Sequence, residues 1–242
     1  MHTLAIHSRL LHRFETAQSP LGRWRLESHV RCLRWLWQGV AVGGQMAKRA
    51  FDVVAGLAFL AVFSPLYLLI ALLVKLEDGG PVFFTQKRVG QFGREFKFYK
   101  FRSMCVDAEA RLKALLATNQ HKEGVTFKMK NDPRLTRIGK WLRRFSLDEL
   151  PQFFNVLIGD MSIVGPRPPV PREVALYSLA DRRRLAVKPG ITCLWQIGGR
   201  SEIDFSGQVK LDVKYIEEQS MWGDIAIVAR TVPAVLSGRG AC

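Results

Sequence analysis

The sequence is poor in acids. Its 242 residues contain 21 Asp and Glu against 36 Lys and Arg, a formal net charge of +15. That imbalance points to anionic partners: nucleic acid, phosphorylated small molecules or an anionic membrane surface. Cysteine is also sparse. Cys32, Cys105, Cys193 and Cys242 stand 73, 88 and 49 residues apart, so no metal-ligand spacing exists. Nothing suggests a disulfide framework, and a reducing, cytosolic setting is expected. Internal repeats and low-complexity tracts are absent. Residues 1–49 lack an early apolar run, which argues against a secretory signal. The length suits one domain of ordinary core size with appendages, or two small domains.

What the chain has in quantity is apolar residues, 48% of the total. Nucleic-acid-binding arms are rarely so apolar, so the membrane surface is the favoured partner. Residues 1–46 read as a basic extension. Within it, Val30 to Val42 mixes Arg31 and Arg34 with Trp35, Leu36 and Trp37, which fits either an interfacial helix or a poorly ordered tail. Residues 47–78 read as a membrane anchor. Val53 to Val74 is 22 residues without a charge, and about 20 apolar residues cross the hydrocarbon core. Ser64-Pro65 interrupts it, and proline kinks a helix. Lys48 and Arg49 flank one end and Lys75, Lys87 and Arg88 the other, so the positive-inside rule places both ends in the cytosol. A re-entrant helix that bends at Ser64-Pro65 satisfies both observations, with Ser64 bonding carbonyls freed by the kink.

Residues 79–242 read as a globular domain, polar after Gly79-Gly80-Pro81. Val82 to Phe84 and Phe96 to Phe101 predict strands around a turn at Val89 to Gly93. Helices are expected over 106–118, from Asp132-Pro133 onward, over Lys210 to Glu218, and over Met221 to Leu236. The last is either interfacial or part of the core. Pro189-Gly190 predicts a turn, Ile191 to Ile197 a strand, and the following Gly-rich bend carries Arg200. The expected class is α+β: a re-entrant anchor followed by a small, mainly helical domain with a short β element and interfacial amphipathic helices.

The segment "RRFSLDELPQ" sets Asp148 and Glu149 one turn after Arg143 and Arg144. Ser146 and Glu149 have capping-box spacing, which would make this an ordinary helix start. That reading leaves unexplained why Arg134, Arg137, Lys140, Arg143 and Arg144 converge here. Nearby, Gly165-Pro166-Arg167-Pro168 holds an arginine on a stiff loop, suited to bidentate phosphate binding.

Together, "KRAFD", "SP", "QKRVG", "KFRSM", "NDPRLTRIGKWLRR", "SLDELPQFFNVLIGDMSIVGPRP" and "KPGITCLWQIGGR" closely resemble the bacterial sugar transferases, the monotopic phosphoglycosyl transferases, from about Ala47 to the C-terminus. The resemblance implies transfer of a sugar-1-phosphate from a UDP-sugar to undecaprenyl phosphate at the cytosolic face of the bacterial inner membrane. That step starts an exopolysaccharide, capsule or O-antigen, and the likeness to exopolysaccharide-type members suggests glucose or galactose. It implies that Asp148 is the nucleophile, Glu149 its dyad partner, and Mg²⁺ the cofactor beside Asp148. Arg143 and Arg167 would hold donor phosphates. Lys100 and Arg102 match further phosphate- or nucleotide-binding positions, and Asp148 and Asp212 would bind the metal. Cys193 and Gly198 replace the Gly and Ser of many relatives, read here as tolerated changes at the site rim. UDP-sugar, undecaprenyl phosphate and anionic lipids are the expected partners. Nucleic acid is not, and a homo-oligomer is left open. The rival readings are a membrane-anchored basic module that binds anionic lipid or nucleic acid, and a metal-dependent lipid phosphodiesterase.

Overall fold

The computed structural model describes residues 19–108, 110–111, 132–199 and 202–237. Contacts group the chain into Met1–Ala50 and Phe51–Cys242, whereas the sequence boundaries at 46 and 78 follow changes in composition. Helix α1, Pro20–Asp78, has residues in both units. In the first unit it opens with Ser19 Oγ accepting from Gly22 N at 3.0 Å, a cap that satisfies one of the free donors of a helix start. The stretch predicted from Val30 to Val42 is helical, with Leu33, Trp35 and Leu36 exposed.

In the second unit, one face of α1 is covered. Asp52, Ile70 and Val74 are buried, while Val54, Val62, Leu68 and Leu76 are exposed. The span Val42–Asp78 is long and apolar enough to cross a membrane, its most apolar 18-residue stretch having a mean hydropathy of 2.6. Pro65 stands inside the helix, which continues unbroken to Asp78. Proline has no N–H, so the Ala61 carbonyl four residues earlier loses its helical donor. Ser64 Oγ donates to that carbonyl at 2.9 Å, which is the compensation expected of Ser64.

Strands β1 (Phe83–Val89) and β2 (Glu95–Phe101) form an antiparallel hairpin, as predicted, in the register Phe84 to Lys100 and Arg88 to Phe96. Its turn is a 3-10 segment, Gln91–Gly93. Of the helix expected over 106–118, Leu112, Leu115 and Leu116 lie outside the described residues, as does Arg200.

Helix α2 (Arg137–Arg144) starts later than Asp132-Pro133 suggested. Thr136 is its cap, with Oγ1 accepting from Gly139 N at 2.9 Å. Asp132 instead binds its own neighbour, since Arg134 Nη2 donates to Asp132 Oδ2 at 2.6 Å. A side chain on Gly139 would meet Ser103 O at 1.9 Å, so only glycine lets α2 lie against the chain leaving β2. A Glu77 carboxylate oxygen accepts from Arg137 N at 2.7 Å, which joins the end of α1 to the start of α2.

Helix α3 (Gln152–Ile158) packs on β2 through Asn155. That amide acts as a short stand-in for a third strand: Tyr99 N donates to Asn155 Oδ1 at 3.1 Å, and Asn155 Nδ2 donates to Lys97 O at 2.6 Å. Strand β3 (Ser162–Val164) pairs in parallel with β4 (Gly190–Thr192). The strand predicted from Ile191 to Ile197 therefore stops early. Its partner β3 ends at Gly165-Pro166, where proline cannot extend a ladder, and the chain turns into helix α5, Leu194–Gly198. Helix α4 (Pro171–Val174) lies between the two strands in sequence. Helices α6 (Phe205–Glu217) and α7 (Met221–Ser237) complete the chain.

Two apolar clusters hold the second unit together. One joins Phe98, Phe153, Val156 and Ile227 to Phe51 and Phe59 of α1. The other joins Phe101 and Leu142 to Ile70 and Val74 of α1, with Leu147 and Leu150 packed against it. The acidic pair lies between those two leucines in sequence.

Candidate active site

Asp148 and Glu149 sit on a 3-10 turn, Leu147–Glu149, entered through Ser146 at φ 54°, ψ 22°. This left-handed backbone is uncommon outside glycine. The predicted capping box is absent: Ser146 makes no side-chain cap, and the Glu149 carboxylate turns the other way. A box needs an extended cap residue followed by a helix, and the left-handed Ser146 supplies neither the angle nor the helix.

Lys100 reaches both acids from β2. Its Nζ donates to Asp148 Oδ2 at 3.1 Å and to Glu149 Oε1 at 2.9 Å. Arg167 Nη2 donates to the same Glu149 oxygen at 2.8 Å. Burial alone would raise the pKa of Glu149, but the charges of Arg167 and Lys100, with their hydrogen bonds, outweigh it and hold the carboxyl well below the usual range. Glu149 in turn keeps Arg167 firmly protonated, against the cost of its burial.

A cavity of about 900 Å³ opens over this cluster. Lys100, Arg143, Asp148, Glu149 and Arg167 line it, and so do apolar side chains: Phe59, Phe63 and Leu66 of α1 with Val228, Val232 and Leu236 of α7. Charged and lipid-like surfaces thus share one pocket. Arg143 is steadied by its own Nε donating to Ser103 Oγ at 3.2 Å.

Two residues named from the sequence have other partners. Arg102 borders the cavity, but its Nη1 donates to Asp78 Oδ2 at 2.9 Å, which ties β2 to the end of α1. Asp212 is buried in an ion pair with Arg184 and is not among the side chains lining the cavity. Cys193 is buried rather than at a rim, and burial pushes its thiol well above the ordinary range. Arg88, which the sequence offers only as a cation flanking the anchor, lines the cavity. Phe83, Phe84, Gln86 and Arg88 of β1 all line the cavity, and the strand FFTQKRV has no apolar alternation that would have marked Arg88.

Among the described residues, no three His, Cys, Asp or Glu side chains group into a metal cage. Mg²⁺ does not need one, since it takes one or two carboxylates and fills its shell with water and substrate phosphate. Lys100 bonds Asp148 through Oδ2, leaving the other carboxylate oxygen for such a role.

An apolar helix laid against a small α+β domain, with an acidic pair in a basic pocket, defines a membrane-associated protein built to handle an anion. The chain belongs to the bacterial sugar transferase family, whose pattern it matches over residues 43–238. It is 51% identical over 197 residues to the galactosyl transferase CpsE of Streptococcus agalactiae, covering 81% of this chain and 43% of that protein. It is 45% identical over 200 residues to the exopolysaccharide production protein ExoY of Rhizobium meliloti, covering 81% and 88%. The undecaprenyl-phosphate galactose phosphotransferase of Salmonella typhimurium is 44% identical over 197 residues, covering 80% and 41%. The chain therefore spans less than half of two of these relatives and most of the third.

Proposed function

We propose that this protein transfers a hexose-1-phosphate from a UDP-sugar to undecaprenyl phosphate through a covalent Asp148 intermediate. The single observation that carries the reading is the shared pocket, which offers a cation-held acidic pair to a diphosphate and an apolar wall to a lipid. The relatives' names support it, being a galactosyl transferase and an undecaprenyl-phosphate galactose phosphotransferase. Galactose and glucose both occur among such names, so the donor is assigned as a UDP-hexose of this class.

In the first half-reaction a carboxylate oxygen of Asp148 attacks the sugar-bearing phosphorus. The bond from that phosphorus to the bridging oxygen breaks, and its electron pair leaves with UMP. Lys100, Arg143 and Arg167 take up the phosphate charge, which is the main demand of phosphoryl transfer. In the second half, an oxygen of undecaprenyl phosphate attacks the same phosphorus, and Asp148 departs as carboxylate. Mg²⁺, held by Asp148 and donor phosphate oxygens, would supply further charge neutralisation.

We also infer that α1 enters and leaves the membrane on one side, the cytosolic one. Asp52 near one end of the apolar stretch accepts from Ser162 Oγ and Ile163 N, both at 3.0 Å. Asp78 at the other end pairs with Arg102. One polar domain cannot hold both ends of a helix that crosses a bilayer without entering hydrocarbon itself.

The test of transfer uses solubilised protein, Mg²⁺ and UDP-galactose or UDP-glucose labelled in the sugar, without acceptor. UMP release with label on Asp148 is expected, and Asp148→Asn should abolish both. Label on Glu149, or ternary-complex kinetics with no adduct, would sink the covalent reading.

A further inference from the structure

The loop that carries Arg167 contains Pro166, Pro168 and Pro169, and each lacks an N–H. Such a loop is fixed through its carbonyls. Gly190 N donates to Pro166 O at 2.9 Å, and Val89 N donates to Pro169 O at 2.9 Å. The third holding bond comes from a side chain: Arg88 Nη1 donates to Pro168 O at 2.9 Å. Arg88 is therefore set against the residue that follows Arg167.

The rest of this guanidinium is poorly used by the protein. Its Nε is buried without a hydrogen-bond partner. Phe98 lies beneath it, 5.2 Å from the ring centre to Cζ, which orients the plane without satisfying its donors. The nearby carboxylates are engaged elsewhere. Glu149 accepts from Lys100 and Arg167, and Glu173 accepts from Val170 N at 3.0 Å. Arg88 nonetheless borders the cavity that Arg167, Lys100 and Asp148 share. A rigid guanidinium with an unpaired Nε, beside a second one, suits an anion with several oxygens.

We propose that Arg88 is a further donor-binding residue, one arm locking the Arg167 loop through Pro168 and the other contacting the diphosphate of the nucleotide sugar. This rests on the UDP-sugar reading above and adds a residue to it. Burial, and after it the charge of Arg167, push Arg88 down to about 10, so it remains charged at neutral pH. The repulsion between the two arginines is relieved when an anion lies between them.

The experiment titrates UDP into the solubilised full-length protein with Mg²⁺, for wild type, Arg88→Lys and Arg88→Gln, and measures KM for donor and acceptor in parallel. Both variants should bind UDP about tenfold more weakly, since one hydrogen bond to a charged group is worth about that factor. Lysine should not rescue, because it keeps the charge and loses the planar fork. Donor KM should rise by the same factor while KM for undecaprenyl phosphate stays unchanged. If Arg88→Gln does not fold, Arg88→Lys decides. Wild-type UDP affinity in Arg88→Lys, with only kcat reduced, would overturn the proposal and leave Arg88 as a loop support. A wild type that binds UDP but releases no UMP from any donor would overturn the transfer reading instead, and the titration would still decide Arg88.

Discussion

Lys100 is shared by two carboxylates, and the sharing is unequal. Glu149 Oε1 accepts from both Lys100 and Arg167, whereas among the described residues Asp148 accepts from Lys100 alone. A carboxylate held by two cations is a poor nucleophile and a good organiser, which supports the proposal that Asp148 attacks. The same inequality has a pH consequence. Because the folded-state pKa of Glu149 is depressed, its contribution to stability is fully present above its unfolded value, about 4.3. It is lost as pH falls below that value toward the folded one. Glu149→Gln should therefore destabilise the protein at pH 7, by about 3 kcal/mol, since it leaves buried cations short of a partner. At pH 3.5 the gap between wild type and variant should be narrower. Thermal midpoints at the two pH values measure it, and a gap that is constant or wider at pH 3.5 would contradict the assignment.

At the scale of the element, the turn that presents the acids depends on an unusual backbone. Ser146 has φ 54°, and an L-residue held in this region costs about 1–2 kcal/mol. Glycine escapes that cost but gives up about 0.5–1 kcal/mol of unfolded-chain entropy. Ser146→Gly should then leave the midpoint within a few degrees of wild type and still form the Asp148 adduct. Ser146→Val puts a β-branched side chain where it is least tolerated, and should lower the midpoint and lose adduct formation. Calorimetry together with adduct mass spectrometry separates the outcomes. Equal behaviour of the two variants would remove the backbone from the account. The hairpin is the complementary case, because β2 holds Lys100 by ordinary pairing opposite Phe84.

For the whole molecule, the question is how a helix apolar enough for a membrane can also support a catalytic pocket. Here α1 contributes to both apolar clusters, through Phe51 and Phe59 in one and Ile70 and Val74 in the other. The cavity is lined by α1 side chains as well as by the acids, which is the arrangement the proposed transfer to a lipid acceptor requires. Cysteines placed singly at positions 46 and 80 in a cysteine-free background test the topology. Membrane-impermeant reagent should label both from the cytosolic side. Labelling from opposite sides would make α1 a simple span and remove the one-sided anchor.

The residue pattern alone determined the apolar segment, the hairpin and the last helix, and it singled out the acidic pair and Arg167 as candidates. Each of these follows from local periodicity or charge pattern, whereas Lys100 was indicated only by the family resemblance. Partnerships across long stretches of chain were decided only by tertiary structure. Ser146 and Glu149 have capping-box spacing, yet Glu149 is drawn to Lys100 and Arg167, 49 and 18 residues away. Arg102 pairs with Asp78, and Asp212 with Arg184, where the family resemblance implied phosphate and metal. The predicted strand after Pro189-Gly190 was cut to three residues by the length of β3. Arg88 entered the site because the end of β1 meets a proline loop about 80 residues later in the chain. A local pattern reports what one stretch of backbone prefers, but a charge pairs with whichever opposite charge packing brings within reach, and burial makes that choice energetically decisive.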